Sequence, residues 1–243
     1  MRLEDKVTII TGGSRGIGKA ISLTFASEGA KIAVVSRNKP DCDAVVSEIS
    51  KIGGEAISIQ ADVSSEANVT EVVNQTQNRF HRIDILVNCA AVTMPERPVT
   101  ELSLKDWNLV IGVNLTGTFL CCRAVLPQMI AQQHGKIINF SSIGGRRGKA
   151  GRSAYRASKA AVINFTECLA AEVKEFSIDV NAICPGAVET DMFRYLSGNK
   201  VPKWVMPPED IAAVALFLAS DESRVITGTA IDAFGPSNPL FGV

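Results

Sequence analysis

Val7-Thr8-Ile9-Ile10-Thr11-Gly12-Gly13-Ser14-Arg15-Gly16-Ile17-Gly18 is the stretch on which the fold turns. A short β-branched apolar run breaks into a glycine-rich turn and passes straight into the helical pattern of 16–28. Gly12 permits the tight turn, Gly16 lets backbone approach a pyrophosphate, and Gly18 allows close packing of helix on strand. A helix that starts behind such a turn presents unpaired N–H groups and the positive end of its dipole to phosphates. Ser14, Arg15 and Ile17 complete this cradle. The spacing is Gly-x-x-x-Gly-x-Gly, not the more familiar Gly-x-Gly-x-x-Gly. By itself it also fits a plain strand–helix turn.

The same rhythm continues outward. Continuous apolar runs at 7–11, 31–36, 55–61, 83–88, 135–141, 178–184 and 230–233 read as strands covered on both faces. Helical patterns lie between them at 16–28, 40–52, 67–80, 104–132, 154–176 and 208–219. Ser103-Leu104-Lys105-Asp106 has capping-box form. Gly29, Gly53 and Gly135 follow helical segments, where left-handed C-terminal residues are common. Pro127 is expected to bend or end the fourth helix. No linker, repeat or low-complexity tract interrupts the pattern. The expectation is therefore a single α/β doubly wound (Rossmann) domain spanning 1–243, with a mostly seven-stranded parallel sheet and helices on both faces. Ligands then bind at the C-terminal ends of the strands.

Lys+Arg and Asp+Glu balance at 25 each, which gives no footing for nucleic acid or an anionic membrane as partner. No apolar run reaches the roughly 18 residues of a membrane span, and no leader pattern opens the chain, so a cytoplasmic location is expected. The six cysteines contain no Cys-x-x-Cys spacing and histidines number two, which argues against a metal site. The cysteines are read as small hydrophobes in apolar surroundings.

Where an NAD-binding unit usually carries an acidic residue for the ribose, the second strand ends in Ser36-Arg37-Asn38. Arg37, with Arg15, suits bidentate contact with a 2′-phosphate, and no carboxylate stands there to repel one; the other reading of Arg37 is a solvated surface charge. The preferred cofactor is thus NADP(H), with NAD(H) as the alternative. After the third strand, Asp62 is read either as a contact to adenine, with the Val63 N–H reaching the ring, or as an N-terminal helix cap.

Tyr155 and Lys159 are four residues apart at the start of a helical pattern and so share a face. An ammonium beside a phenol favours phenolate, and a phenol tuned towards neutral pH can give or take a proton. Ser142 follows the fifth strand and is placed to bond a substrate oxygen. Asn114 lies inside an apolar helix, where an amide needs partners; a structural role, bonding to neighbouring backbone, is the other reading. Arg146, Arg147, Lys149, Arg152 and Arg156 crowd the same region. Arg147 and Arg152 are candidates for binding an anionic substrate; the competing reading is a solvated or intersubunit loop.

Taken together, these residues resemble the short-chain dehydrogenase/reductase family over nearly the whole chain. Thr11-Gly12-x-x-x-Gly16-Ile17-Gly18 is similar to its cofactor loop, and Asn88-Cys89-Ala90-Ala91 to its Asn-Asn-Ala-Gly motif, with Cys89 and Ala91 departing from it. Asn114, Ser142, Tyr155 and Lys159 match its catalytic tetrad in order and spacing. Pro185, Gly186, Val188 and Thr190 resemble its nicotinamide loop. The resemblance implies an enzyme interconverting a carbonyl and an alcohol. Tyr155 would be general acid or base, and Ser142 would polarise the carbonyl. Lys159 would hold the nicotinamide ribose and depress the tyrosine pKa. Asn114 would keep a kinked helix and a proton-relay water. It also implies a homo-oligomer, tetramer or dimer, packed through the helices that begin near 104 and 154.

Two departures matter. Phe234-Gly235-Pro236, followed by Ser237 to Phe241, replaces the family's Asp-Gly-Gly, so subunit contacts there are expected to differ. The span 190–208 is short and apolar and reads as a substrate lid, with Met192, Phe193 and Trp204 facing substrate; a simple helix is the other reading. Family members that reduce carrier-linked 3-oxoacyl groups often carry basic residues at positions matching Gln133 and Phe176. Their absence favours a small free carbonyl or a polyol- or sugar-type alcohol as substrate, with 3-oxoacyl-[acyl-carrier-protein] reduction as the alternative. A non-catalytic dinucleotide sensor is the rival of another class.

Overall fold

Consecutive strand residues in this protein face two different cores, which is why the strands read as unbroken apolar runs. The computed structural model describes residues 1–239. Strand β1 (Val7–Thr11) is buried at all five positions. It leads through the glycine turn to α1 (Gly16–Ser27), β2 (Lys31–Ser36), α2 (Lys39–Lys51), β3 (Ala56–Gln60), α3 (Glu66–Phe80) and β4 (Ile85–Asn88). Then come α4 (Leu104–Ile111), α5 (Gly117–Gln132), β5 (Gly135–Phe140), α6 (Ile143–Arg146), α7 (Ser153–Val173), β6 (Ile178–Pro185), α8 (Asp191–Ser197), α9 (Pro208–Ala219) and β7 (Ala230–Ala233).

The strands form one sheet in the order β3-β2-β1-β4-β5-β6-β7, and every pairing is parallel. The architecture is α/β and doubly wound. Ile10, Ile32, Ile85 and Ile138 turn to one face, where Phe25 of α1, Ile49 of α2 and Ile211 of α9 cover them. Their neighbours Ile9, Ala33, Leu86 and Ile137 turn to the other, under Val72 of α3, Val125 of α5 and Leu169 of α7. Winding reverses between β1 and β4. Their C-terminal ends therefore open the crevice in which this class of sheet binds ligands.

The long helical pattern at 104–132 is not one helix. A π turn at Gly112–Thr116 separates α4 from α5. Pro127 neither ends nor marks this break; it lies inside α5, which continues to Gln132. The left-handed residue that closes α5 is Gln133 (φ 53°), not Gly135, which already belongs to β5. Gly29 and Gly53 do adopt positive φ, and Ser103 caps α4 by accepting from the Asp106 N–H. A stretch within Leu104–Gln132 is long and apolar enough to cross a membrane by length and composition alone. Here much of it lies in the second core, with Val113, Leu120 and Met129 buried. The helix at 154–176 finishes as a 3₁₀ turn at Lys174–Phe176, and the short α6 went unread in the sequence.

Candidate active site

Everything in the crevice starts from the turn after β1. Gly12 has φ +67°, and a Cβ on it would stand 2.9 Å from the backbone of Ala90. A Cβ on Gly18 would stand 2.1 Å from the Gly12 carbonyl oxygen. Only hydrogen fits at either place. Ser22 fixes the turn from below, donating to the carbonyls of Gly13 (3.2 Å) and Gly18 (3.0 Å). Arg15 caps α1 with extended backbone and no side-chain acceptor, so the first-turn N–H groups have no side-chain partner at the cap. A bare, glycine-walled helix N-terminus fits the phosphates of a dinucleotide.

A cavity of about 760 Å³ runs from this turn to α7 and α8. Gly12, Ser14, Arg15, Gly16, Ile17 and Gly18 line it at the phosphate end, with Ser36, Arg37 and Asn38 beyond them. Asp41 lines it too, its carboxylate accepting from Asn38 Nδ2 at 2.7 Å. The expectation of a carboxylate-free end therefore needs correcting: α2 turns Asp41 back to the wall, which β2 alone does not reveal. Asp62 and Val63 are off the wall. Asp62 accepts from the Ser64 N–H (2.9 Å) and hydroxyl (2.7 Å), and the latter bond first holds its carboxyl below the usual range. It does not cap α3; Ser65 does, accepting from the Asn68 N–H.

On the far side, Pro185, Gly186, Val188 and Thr190 line the cavity as expected. The unusual C-terminal segment packs behind them. The Ala187 N–H donates to Ser237 Oγ at 2.9 Å, and a Cβ on Gly186 would meet the Phe234 carbonyl oxygen at 2.4 Å. Leu240 and Phe241 lie outside the described residues. Thr190 caps α8 by accepting from the Phe193 N–H. Within the 190–208 span, Met192, Phe193, Tyr195 and Leu196 of α8 face the cavity, and Trp204 does not.

Tyr155 and Lys159 share one face of α7, the ammonium 5.9 Å from the centre of the ring. Lys159 is almost fully buried and donates to the Phe140 carbonyl at 2.7 Å. Burial lowers its pKa to about 8. Burial likewise raises the Tyr155 phenol above 10.0, opposed by a hydrogen bond with Ser142 and by the charges of Arg152 and Arg156. The expectation that Lys159 depresses the tyrosine is therefore not what this arrangement gives: desolvation wins, and the opposing groups are Ser142 and the two arginines. Ser142 Oγ also accepts from the Gly144 N–H at 3.0 Å, which starts α6.

Asn114 sits in the π turn and is off the cavity wall. Its Oδ1 accepts from the Val92 N–H (2.8 Å), and its Nδ2 donates to the Val92 carbonyl (3.0 Å) and Ser158 Oγ (3.1 Å). Ser158 in turn donates to the Tyr155 carbonyl at 2.7 Å. The side chain thus ties the segment after β4 to the helix of Tyr155, with its amide donors and one acceptor position in use. Asn88 is buried below the crevice, donating to Asn139 Oδ1 at 2.9 Å, and does not line it. Cys89, Ala90, Ala91, Val92 and Thr93 do. The rule that ligands sit beyond strand ends points to these five, though no side chain among them advertises it.

The basic cluster divides. Lys149, Arg152 and Arg156 line the cavity; Arg147 does not, and Arg146 pairs with Asp232 at 2.8 Å. Of the cysteines, Cys42, Cys121, Cys122 and Cys184 are buried hydrophobes, but Cys168 is exposed and Cys89 stands on the cavity wall.

Comparison with known proteins gives a consistent result. The family model described as short chain dehydrogenase matches residues 6–200. The chain is 40% identical over 240 residues to a 3-oxoacyl-[acyl-carrier-protein] reductase of Synechocystis sp., covering 96% of this chain and 97% of that protein. It is 40% identical over 243 residues to the 3-oxoacyl-[acyl-carrier-protein] reductase FabG of Thermotoga maritima, covering 97% and 98%. Among solved structures, the crystal structure of levodione reductase superposes with a TM-score of 0.93 at 31% identity, covering 97% of this chain and 98% of that one.

Proposed function

The chain belongs to the short chain dehydrogenase family, and from that premise we propose an NADP(H)-dependent oxidoreductase that interconverts a small ketone or aldehyde with its alcohol, using Tyr155 as acid and base. The observation that carries the reading is the placement of Ser142, Tyr155 and Lys159 on the wall of the cavity that begins at the bare N-terminus of α1. Gly12 to Gly18 would hold the pyrophosphate, Arg15 and Arg37 a 2′-phosphate, and Pro185 to Thr190 the nicotinamide end. When bound, the dinucleotide supplies or accepts the hydride.

The protein's own part is proton transfer and orientation. Ser142 donates to the carbonyl oxygen and polarises it. Tyr155, held protonated by its desolvated setting, gives that oxygen a proton as it becomes an alkoxide. Running towards oxidation, the phenolate is stabilised by the Ser142 hydroxyl and the two arginine charges. Lys159 keeps a compact cation near the ring. Asn114 acts as a positioning residue through Val92 and Ser158. We place the protein in the cytoplasm, acting on small molecules.

A second reading, 3-oxoacyl-[acyl-carrier-protein] reductase, is favoured by the names of the relatives above. Gln133 and Phe176 weigh against it, since neither offers the positive charge an acidic carrier would seek. One assay addresses both. Tyr155→Phe is expected to lose about 10²–10⁴-fold in turnover while still binding NADPH in a fluorescence titration. Unimpaired turnover, or a wild type that binds no dinucleotide, would remove the proposal. Running the wild type with free and carrier-linked 3-oxoacyl substrates separates the two readings.

A further inference from the structure

Besides Lys159, three cations line the cavity near Tyr155: Lys149, Arg152 and Arg156. One carboxylate, Glu96, answers them, accepting from Lys149 Nζ at 2.6 Å and Arg152 Nε at 3.2 Å. Arg156 forms no ion pair among the described residues; its guanidinium donates to the Arg147 carbonyl. Against these three charges Glu96 supplies one. The two arginines also repel one another: burial and the Arg152 charge both push the Arg156 guanidinium down from its usual value. They stand at the N-terminal end of α7, whose first turn has no acidic residue. A helix dipole disfavours cations at that end. Arg152 also donates to Thr93 Oγ1 (3.0 Å) and the Met94 carbonyl (3.4 Å), which fixes its guanidinium on the cavity wall.

Position ties the charges to the reacting group. Arg152 is the capping residue of α7, three residues before Tyr155, and its side chain is 13% exposed. A Cβ on Gly144 would touch both Arg156 Cγ (3.3 Å) and Tyr155 Cε1 (3.4 Å), so the arginine stem and the phenol ring rest on the same glycine.

We propose that this wall is a carboxylate-binding subsite, so that the substrate is a 2- or 3-oxo acid, or the matching hydroxy acid, whose carboxylate is held by Arg156 and Arg152 while its carbonyl meets Tyr155. The proposal rests on Tyr155 being the proton donor and adds the charge of what it protonates. A guanidinium pairs bidentately with a carboxylate, and in a partly dry cavity such a pair is stronger than at the surface. Glu96 holds Lys149 and Arg152 in the substrate's absence and competes with it afterwards. Met192 and Phe193 leave apolar surface on the same cavity for the rest of a small molecule.

The test compares acetoacetate with methyl acetoacetate, which share a reacting ketone and differ in charge, using whichever of NADPH and NADH the enzyme turns over better. The ratio of kcat/KM, acid over ester, is expected to exceed about tenfold at low ionic strength and to shrink in high salt. Arg156→Gln should bring the ratio down towards unity. Glu96→Gln should raise it, a gain that misfolding does not produce. A wild type that does not distinguish acid from ester, or a ratio unmoved by both substitutions, overturns the subsite while leaving the reductase reading in place. Calorimetric titration of acetoacetate into the dinucleotide-saturated protein separates the converse: salt-sensitive binding without turnover of either compound upholds the subsite and sinks the reductase.

Discussion

Lys159 holds an ammonium where water hardly reaches, and that has a measurable consequence. Its pKa in the folded protein is about 8, against 10.5 for an ordinary lysine, with burial the first cause. Between those two values the unfolded chain binds more protons than the folded one, so stability rises with pH across that window. Below it the whole cost of the buried charge is present, about 3 kcal/mol. Urea unfolding of the wild type and Lys159→Met at pH 7 and pH 10 should show the wild type gaining on the variant as pH rises. Parallel behaviour would mean the lysine is solvated. Arg37 makes a different prediction. If it holds a 2′-phosphate, Arg37→Asp should turn an NADPH preference towards NADH by about tenfold or more, since a charge-assisted bond becomes a repulsion. Asp41 on the same wall makes the size of that preference worth measuring in its own right. An unchanged ratio of kcat/KM values would dismiss Arg37 as the reader of the cofactor.

The decisive elements are the turn into α1 and the break between α4 and α5. In the first, the fit leaves no room at Gly18, where a Cβ would lie 2.1 Å from the Gly12 carbonyl. Gly18→Ala should therefore displace the helix from the turn, costing about 1–3 kcal/mol of stability and most of the dinucleotide affinity. Thermal unfolding and an NADPH titration measure the two effects; full affinity at normal stability would show that the turn gives way easily. In the second, the π turn at Gly112–Thr116 lets an apolar helix present Asn114 to the Val92 backbone and Ser158. The helix period alone does not reveal this, because one extra residue in a turn leaves almost no mark on the pattern of apolar spacing.

At the scale of the molecule, the sheet is stitched from its base as well as its core. Asp84 is fully buried within the apolar run that leads into β4, where it accepts from the Val7 N–H at 2.9 Å and from Arg82 at 2.8 and 2.5 Å. On the outside, Leu104 is 71% exposed, and Phe119 is 40% exposed with its ring edge-on to Phe165. We propose that these mark the contact of a homo-oligomer built through α4, α5 and α7, since exposed apolar patches on a folded chain often mark interaction sites. Sedimentation should report dimers or tetramers at micromolar concentration, and Leu104→Asp with Phe119→Asp should shift them towards monomer with the circular dichroism unchanged. A monomeric wild type would remove the proposal.

The amino-acid order alone determined the strands, their sequence, the glycine cradle and the Tyr155–Lys159 pair. Each of these depends on contacts between near neighbours: a run buried on both faces, a turn without side chains, two residues one helical turn apart. Tertiary structure alone decided which charges meet. It brought Asp41 to the phosphate end, set Glu96 against Lys149 and Arg152, took Arg147 and Trp204 away from the cavity, and let burial outweigh Ser142 and the two arginines at the phenol. Those outcomes depend on distances between residues tens of positions apart and on how much water is excluded, and neither quantity is written in local spacing.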